Sequence, residues 1–390
     1  MSIRWVDTPR TLTHFDPPPA AVAAEGAVPF DNELGLDAAQ VEHIAELFHT
    51  PLTGAYNWDY QVQDDRIRKL YELGKQLNWN ASVDIDWKQT PDFHQRPPVT
   101  DEQRKAVEEN RGNALFKGFA PWEAFDADQI IQWMRHQHSW AISQFLHGEQ
   151  GALLVASQLV SCAPSFNAKM YAASQTFDEA RHVEVFNRYL QRKVGFTYPI
   201  SRSLKLLLDK ILMDPRWDLK FIGMQIIIEG LALAAFNTMK QSTQDPVLRD
   251  IVHLVIRDEA RHVTFGVNYL EEFVQTLSAE EREERAAFAF EACVVMRTRL
   301  IPTDVYRQFG WPVEEATAIA TGGEMRQRFR NMIFARVVPN LKRIGLLTDA
   351  IRPKFEELGL LEFEALPDDG HIDWDELSKP LYDETQRRTA

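Results

Sequence analysis

Six residues in this chain have the types and the spacing to hold metal ions. The pentapeptide Asp178-Glu179-Ala180-Arg181-His182 recurs unchanged as Asp258-Glu259-Ala260-Arg261-His262. A lone glutamate precedes each copy, Glu149 and Glu229, and the set Glu149, Glu179, His182 reappears 80 residues on as Glu229, Glu259, His262. Glu and His at i and i+3 share a helix face, so each Glu-x-x-His can aim a carboxylate and an imidazole at one point. The lone glutamates stand in apolar surroundings. Glu229 lies within Gln225-Ile226-Ile227-Ile228-Glu229-Gly230-Leu231-Ala232-Leu233, and Glu149 is followed by Gly151-Ala152-Leu153-Leu154-Val155. An ionised carboxylate in such a helix is costly unless it is paired, protonated or coordinated. A buried ion pair explains one such residue, not four carboxylates and two imidazoles in register. Glu46-Leu47-Phe48-His49 has the same spacing but no lone Glu and no twin, and reads as an ordinary amphipathic helix.

The elements that must position these residues follow from the breakers between them. In each half the lone Glu stands 30 residues before the Glu of Glu-x-x-His. Midway fall Ser161-Cys162-Ala163-Pro164-Ser165 and Ser242-Thr243-Gln244-Asp245-Pro246. Each half is therefore a helical hairpin, with its carboxylates roughly 22 Å from the turn at about 1.5 Å of rise per residue. The two sides come level when the hairpin closes, and two hairpins make a four-helix bundle with the six side chains in its core. Mostly carboxylate ligands with two imidazoles and no sulfur suit a pair of iron or manganese ions rather than structural zinc.

This pattern resembles the ferritin-like di-iron carboxylate oxygenases and oxidases, and the doubled Asp-Glu-x-Arg-His resembles the hydroxylase subunits of bacterial multicomponent monooxygenases. The resemblance covers roughly residues 130 to 280. It implies two iron ions (Mn/Fe as a variant), O2 as co-substrate, Glu179 and Glu259 as bridging carboxylates, and Asp178, Arg181, Asp258 and Arg261 as a network behind the ligands. That last role makes physical sense, because a ligating His gives its other N–H to a carboxylate or carbonyl. The chain also departs from better-known relatives. Leu233 stands where the hydroxylases carry a Thr one turn after the third-helix Glu. Phe186 stands where the small subunit of ribonucleotide reductase carries a Tyr, which argues against a stored tyrosyl radical of that type. Val255 stands where the di-iron N-oxygenases add a third His.

The whole chain has 390 residues, a formal net charge of −14 and a pI near 5.3. Without a basic run, nucleic acid and anionic membrane are unexpected partners. Two cysteines, Cys162 and Cys293, with no Cys-x-x-Cys, fit a reducing cytoplasm and leave no cysteine-ligated cluster. The start of the chain lacks an apolar h-region, and no run approaches the roughly 18 apolar residues of a membrane span. A soluble, cytoplasmic protein is expected.

The organisation predicted is all-α: an arm and accessory helices over 1–125, the di-metal bundle over 126–280, and C-terminal helices with an acidic tail over 281–390. Helices are expected over about 37–49, 64–77 and 101–117, with a Trp- and Pro-punctuated irregular stretch over 78–99. The bundle helices should run from Asp126 or Asp128 to about Val160, then about 165–193, 214–240 and 246–277. A short helix joins the hairpins near 201–210. Ser278 with Glu281 forms a capping box for a fifth long helix, and from Asp368 onward the acidic end reads as loosely attached. His136, His138, His147 and His253 point away from the site.

The function expected is an O2-activating di-iron oxygenase or oxidase acting on an apolar or aromatic small molecule. The alternatives are a di-iron N-oxygenase acting on an amine, made less favourable by Val255, and a non-enzymatic ferritin-like storage or ligand-binding role. No flavin, NAD or iron–sulfur motif is present, so electrons come from a separate ferredoxin or reductase, or from the substrate. Self-association as a homodimer is left open. A substrate cavity is expected where the repeat breaks, near Gly266 and Leu233, with Phe186 closing the opposite side; Phe145 against Gln225 is the second break.

Overall fold

A computed structural model of the chain describes residues 28–29, 48, 50, 52–61, 64–323, 327, 330–370, 372 and 374–377. The expected helix over 37–49, and with it Glu46-x-x-His49, lies outside the described residues apart from Phe48, as does most of the arm. The arm contributes a two-residue strand, β1 (Val28–Pro29), paired antiparallel with β2 (Phe196–Thr197). Everything else regular among the described residues is helical.

The bundle is made of α3 (Ala127–Cys162), α4 (Phe166–Tyr189), α6 (Trp217–Ser242) and α7 (Pro246–Val274). Helices α1 (Asp65–Gln76), α2 (Asp101–Asn110) and α5 (Arg202–Met213) stand outside it, and α8 (Ala279–Met296) follows it. Start signals act as side-chain caps. Asp126 and Gln129 form a capping box for α3, Ser165 accepts from the Ala168 N–H, and Asp245 precedes Pro246 at the head of α7. The Ser278–Glu281 capping box opens α8. Between the hairpins, α5 is capped by Ser201, which accepts from the Leu204 N–H.

Helix α6 is not uniform. Trp217–Phe221 and Glu229–Ser242 are α-helical, and Ile222–Ile228 between them is a π-helical stretch ending where Glu229 begins. The helix is long and apolar enough to cross a membrane by length and mean hydropathy, although Gln225 and Glu229 keep it from being an unbroken apolar run. The reason is burial inside the protein: 89% of its apolar window is covered by the other elements.

One large apolar core runs through the bundle, α5, α8 and the helices after it. A second cluster, rich in aromatic rings, joins Phe116, Trp122, Trp133 and Trp140 to Tyr306 and Trp311, with Phe116 and Trp311 5.0 Å apart. It ties residues before the bundle to residues after it. The acidic end also departs from expectation at its start. Asp369 is fully buried, accepts from Asn340 Nδ2 at 2.8 Å and Arg336 Nη1 at 2.6 Å, and its carbonyl accepts from Thr264 Oγ1 on α7 at 2.8 Å. A carboxylate satisfied in this way is a fixture, not a loose tail.

Candidate metal centre

The four bundle helices bring the six residues singled out by spacing to one place. Glu149 comes from α3, Glu179 and His182 from α4, Glu229 from α6, Glu259 and His262 from α7; all are at most 5% exposed. Donor atoms of Glu149, Glu179, His182 and Glu259 all lie within 4.8 Å of one another, and so do those of Glu179, Glu229 and His262. Glu179 belongs to both groups. Glu259 reaches both imidazoles, with Oε1 3.2 Å from His182 Nδ1 and Oε2 3.8 Å from His262 Nδ1. The imidazole centroids are 6.0 Å apart. Two carboxylates thus lie between two histidines, with one further glutamate at each end.

Several donor atoms are close to one another yet lack a directed hydrogen bond. Glu179 Oε2, Glu229 Oε2, Glu259 Oε2 and His262 Nδ1 are buried and make no hydrogen bond. Buried polar atoms left unmade are costly, and their convergence fits two bound cations. Charge crowding tells the same story. Burial, helped by Glu259, pushes the Glu149 carboxyl up to about 8. Burial also holds Glu229 well above the usual range, with Glu259, Glu179 and Glu149 adding to it against His262. For Glu179, burial pushes up but the His262 and His182 imidazoles outweigh it, and the carboxyl lies below its usual value. Both histidines are raised well above theirs, because carboxylates outweigh the cost of burial. Without metal the cluster stores protons; cations with several positive charges would replace them.

Behind the candidate ligands the two pentapeptides are cross-linked. His182 Nε2 lies 3.1 Å from Asp258 Oδ2, and His262 Nε2 3.2 Å from Asp178 Oδ2, so each aspartate serves the other half's histidine. Arg261 Nη2 donates to Asp178 at 2.9 Å and to Asp258 at 2.7 Å. Arg181 likewise donates to Asp178 and, at 3.2 Å, to Asp258. These arginines hold Asp258 below its usual value despite burial, so it is ionised and accepts only. The His182 Nε2–H is then the donor, and Nδ1 is left facing the carboxylates.

Sequence reasoning missed two contributors. Trp79, from the stretch read as irregular, donates its Nε1–H to Asp258 Oδ2 at 2.7 Å and stacks near His182, with centroids 6.3 Å apart. Its carbonyl and Asn78 Oδ1 accept from Arg181. No periodicity marks this contact, which joins residues 179 apart. Gln175, one turn before Glu179, donates to Glu229 Oε1 at 2.7 Å and to Glu179 Oε1 at 3.2 Å. A signal was available there: the 80-residue repeat pairs Gln175 with Val255, the very position where a third His would stand.

The expected cavity at Gly266 is not there. A Cβ on Gly266 would stand 2.4 Å from Gln225 Cβ, so the glycine permits close approach of α7 to the π-helical stretch of α6. Gln225, inward, donates to Gln175 Oε1 at 3.3 Å. Leu233 is buried, and Phe186 packs on Phe236 and Phe145 with centroids 5.6 and 6.3 Å away. A surface cleft of about 290 Å³ lies instead along Trp217, Tyr269 and Phe273, near the Pro164 turn, and none of its lining residues is a candidate ligand. The other histidines point elsewhere: His136 to the Tyr198 hydroxyl, His138 to that of Tyr189, His147 to the Tyr198 carbonyl and His253 to Lys240.

Solved structures similar to this chain include R2-like ligand-binding oxidases. One, a variant with an anaerobically reconstituted Mn/Fe cofactor, is 19% identical over 73% of this chain and 94% of that chain, at a TM-score of 0.44. Another, with an aerobically reconstituted Mn/Fe cofactor, is 18% identical over 75% of this chain and 96% of that chain, also at 0.44. Among curated proteins none matches in sequence. The family described as p-aminobenzoate N-oxygenase AurF matches residues 61–345, from before Trp79 to beyond α8, and the chain belongs to that family.

Proposed function

We propose that this oxidoreductase is an O2-dependent di-metal N-oxygenase acting on an aromatic amine, with electrons from a separate ferredoxin or reductase. The observation that carries the reading is the doubled ligand set, six side chains around two adjoining points in a buried core, in a chain of this family. Glu149 and His182 would hold one ion, Glu229 and His262 the other, with Glu179 and Glu259 between them. Bound there, two iron or manganese ions supply the electron-rich centre at which O2 is reduced. The chain's own residues do the rest. Asp178 and Asp258 hold the imidazoles by Nε2–H, which presents Nδ1 to the metals. Gln175 orients Glu229 and Glu179. Phe145, Phe186 and Phe236 exclude water beside Glu149 and His182.

Each turnover would join one oxygen atom of O2 to the amine nitrogen, giving the hydroxylamine. The other oxygen leaves as water, with two electrons from the donor and two protons. The test is to load the protein with ferrous iron, add 4-methylaniline and a chemical reductant, admit O2 and identify products by mass spectrometry. N-oxygenated product supports the reading. Ring- or methyl-hydroxylated product sinks it in favour of carbon oxygenation, which Val255 in place of a third His favours.

A further inference from the structure

The repeat that doubles the candidate ligands breaks at two glutamines, and the fold joins them. Gln175 on α4 stands where the second half has Val255, and Gln225 on α6 stands where the first half has Phe145. Gln175 Nε2 donates to Glu229 Oε1 at 2.7 Å and to Glu179 Oε1 at 3.2 Å, while its Oε1 accepts from Gln225 Nε2 at 3.3 Å. Both glutamines are fully buried. An ionised carboxylate only accepts, so the nitrogen of Gln175 must face Glu229 and its oxygen must face Gln225. The amide is therefore fixed at both ends. Gln225 is itself held in place, on the π-helical stretch Ile222–Ile228 and against α7, which passes closest at Gly266.

Nothing comparable stands at the other end of the cluster. Among the described residues, the hydrogen-bonding contact of Glu149 is to a fellow candidate ligand, His182, at 3.2 Å. The positions that match the two glutamines are apolar: Phe145 packs on Phe236 at 4.6 Å, and Val255 is fully buried. The two outer carboxylates thus differ in freedom. A carboxylate binds a metal ion through one oxygen or through both. With Oε1 committed to Gln175, Glu229 offers an ion Oε2 alone, an atom that makes no hydrogen bond. Glu149 has no amide holding either oxygen among the described residues, and can offer both.

We propose that the two metal positions are inequivalent, and that the place open to a small exogenous anion lies on the ion held by Glu229 and His262. The relay from Gln225 through Gln175 keeps that place open by holding Glu229 to one oxygen. Both glutamines are positioning residues, acting through the carboxylate as partners behind a metal ligand do. The inference rests on the reading of the six side chains as a two-metal site, and it is independent of which substrate is oxidised.

The experiment is an optical titration of the full chain, loaded with ferric iron, with sodium azide, whose charge-transfer absorption reports binding to the metal. The wild type should take one azide per chain. Gln175→Met frees Glu229 to close the position with its second oxygen, and should weaken azide by about ten- to a hundredfold, the worth of a hydrogen bond to a charged group. Gln225→Met touches no candidate ligand and loosens only the amide behind it; it should weaken azide by about fivefold, the worth of a neutral hydrogen bond, with iron content unchanged. It decides alone if Gln175→Met loses iron. Two azides of like affinity in the wild type overturn the proposal. Wild-type azide affinity in Gln225→Met also overturns it, even with a lowered Tm, since that glutamine would then serve packing. Iron loss in Gln225→Met overturns it too, because the relay would then retain the metal rather than keep a place open. Iron content is measured before azide is added, so a wild type that does not hold two irons fails the two-metal reading and is told apart from a failure of the relay.

Discussion

At the scale of single residues, Glu229 is the sharpest case. It sits in the most apolar helix of the bundle, one oxygen held by Gln175 and the other unpartnered. Nothing but a cation or a proton makes such a carboxylate tolerable. Glu229→Ala should therefore lose at least one of two tightly held metals in elemental analysis, while His49→Ala leaves metal content unchanged. Two metals retained in Glu229→Ala would remove Glu229 from the ligand set.

At the scale of elements, the close approach of α7 to α6 replaces the cavity that the repeat break suggested. A side chain at Gly266 would meet Gln225 Cβ, an atom fixed to the π-helical backbone that cannot rotate away. Gly266→Leu should destabilise the fold by at least ~1–3 kcal/mol, the usual cost of overpacking, read as a lower denaturant midpoint. Unchanged stability would mean that α6 can move aside. Helix α8 carries a different signature. Burial pushes Glu291 up to about 7, against Lys210 and Lys354, from an ordinary 4.5. The folded state then holds a proton that the unfolded state has released. The associated stability is present in full below about pH 4.5 and is lost as pH rises through about 7. Glu291→Gln should remove that loss: between pH 5 and 8 its Tm should fall less than the wild type's, and parallel Tm profiles would refute the assignment.

At the scale of the whole molecule, the candidate metal centre leans on a segment far from it in sequence. Trp79 reaches across 179 residues to Asp258, which holds the candidate ligand His182. Trp79→Phe keeps the ring over His182 and Arg181 and removes only the N–H. Loss of such a partner typically costs tenfold to a hundredfold in metal affinity, with only about 1 kcal/mol of stability at stake. Metal competition with a chromophoric chelator measures it, and parent-like affinity would make Trp79 packing alone.

Much of this protein is determined by local pattern. Six candidate ligands and their helices were legible because a side-chain set repeated at a fixed interval leaves identical residues in the chain, and because a carboxylate in an apolar helix is too costly to keep without a cation, a proton or an ionic partner. Helix starts were legible at Asp126, Ser165, Asp245 and Ser278, where capping is a matter of three or four neighbouring residues. What tertiary structure alone decided are contacts that no spacing encodes. Trp79 reaches Asp258 from an irregular stretch, and Asp369 is buried on Arg336 and Asn340. Gly266 is filled by Gln225 because a π-helical turn shifts the register of α6, and α-helical periodicity cannot foresee such a shift. Arg299 in the sequence is one arginine among many; only the fold buries it beside Phe145.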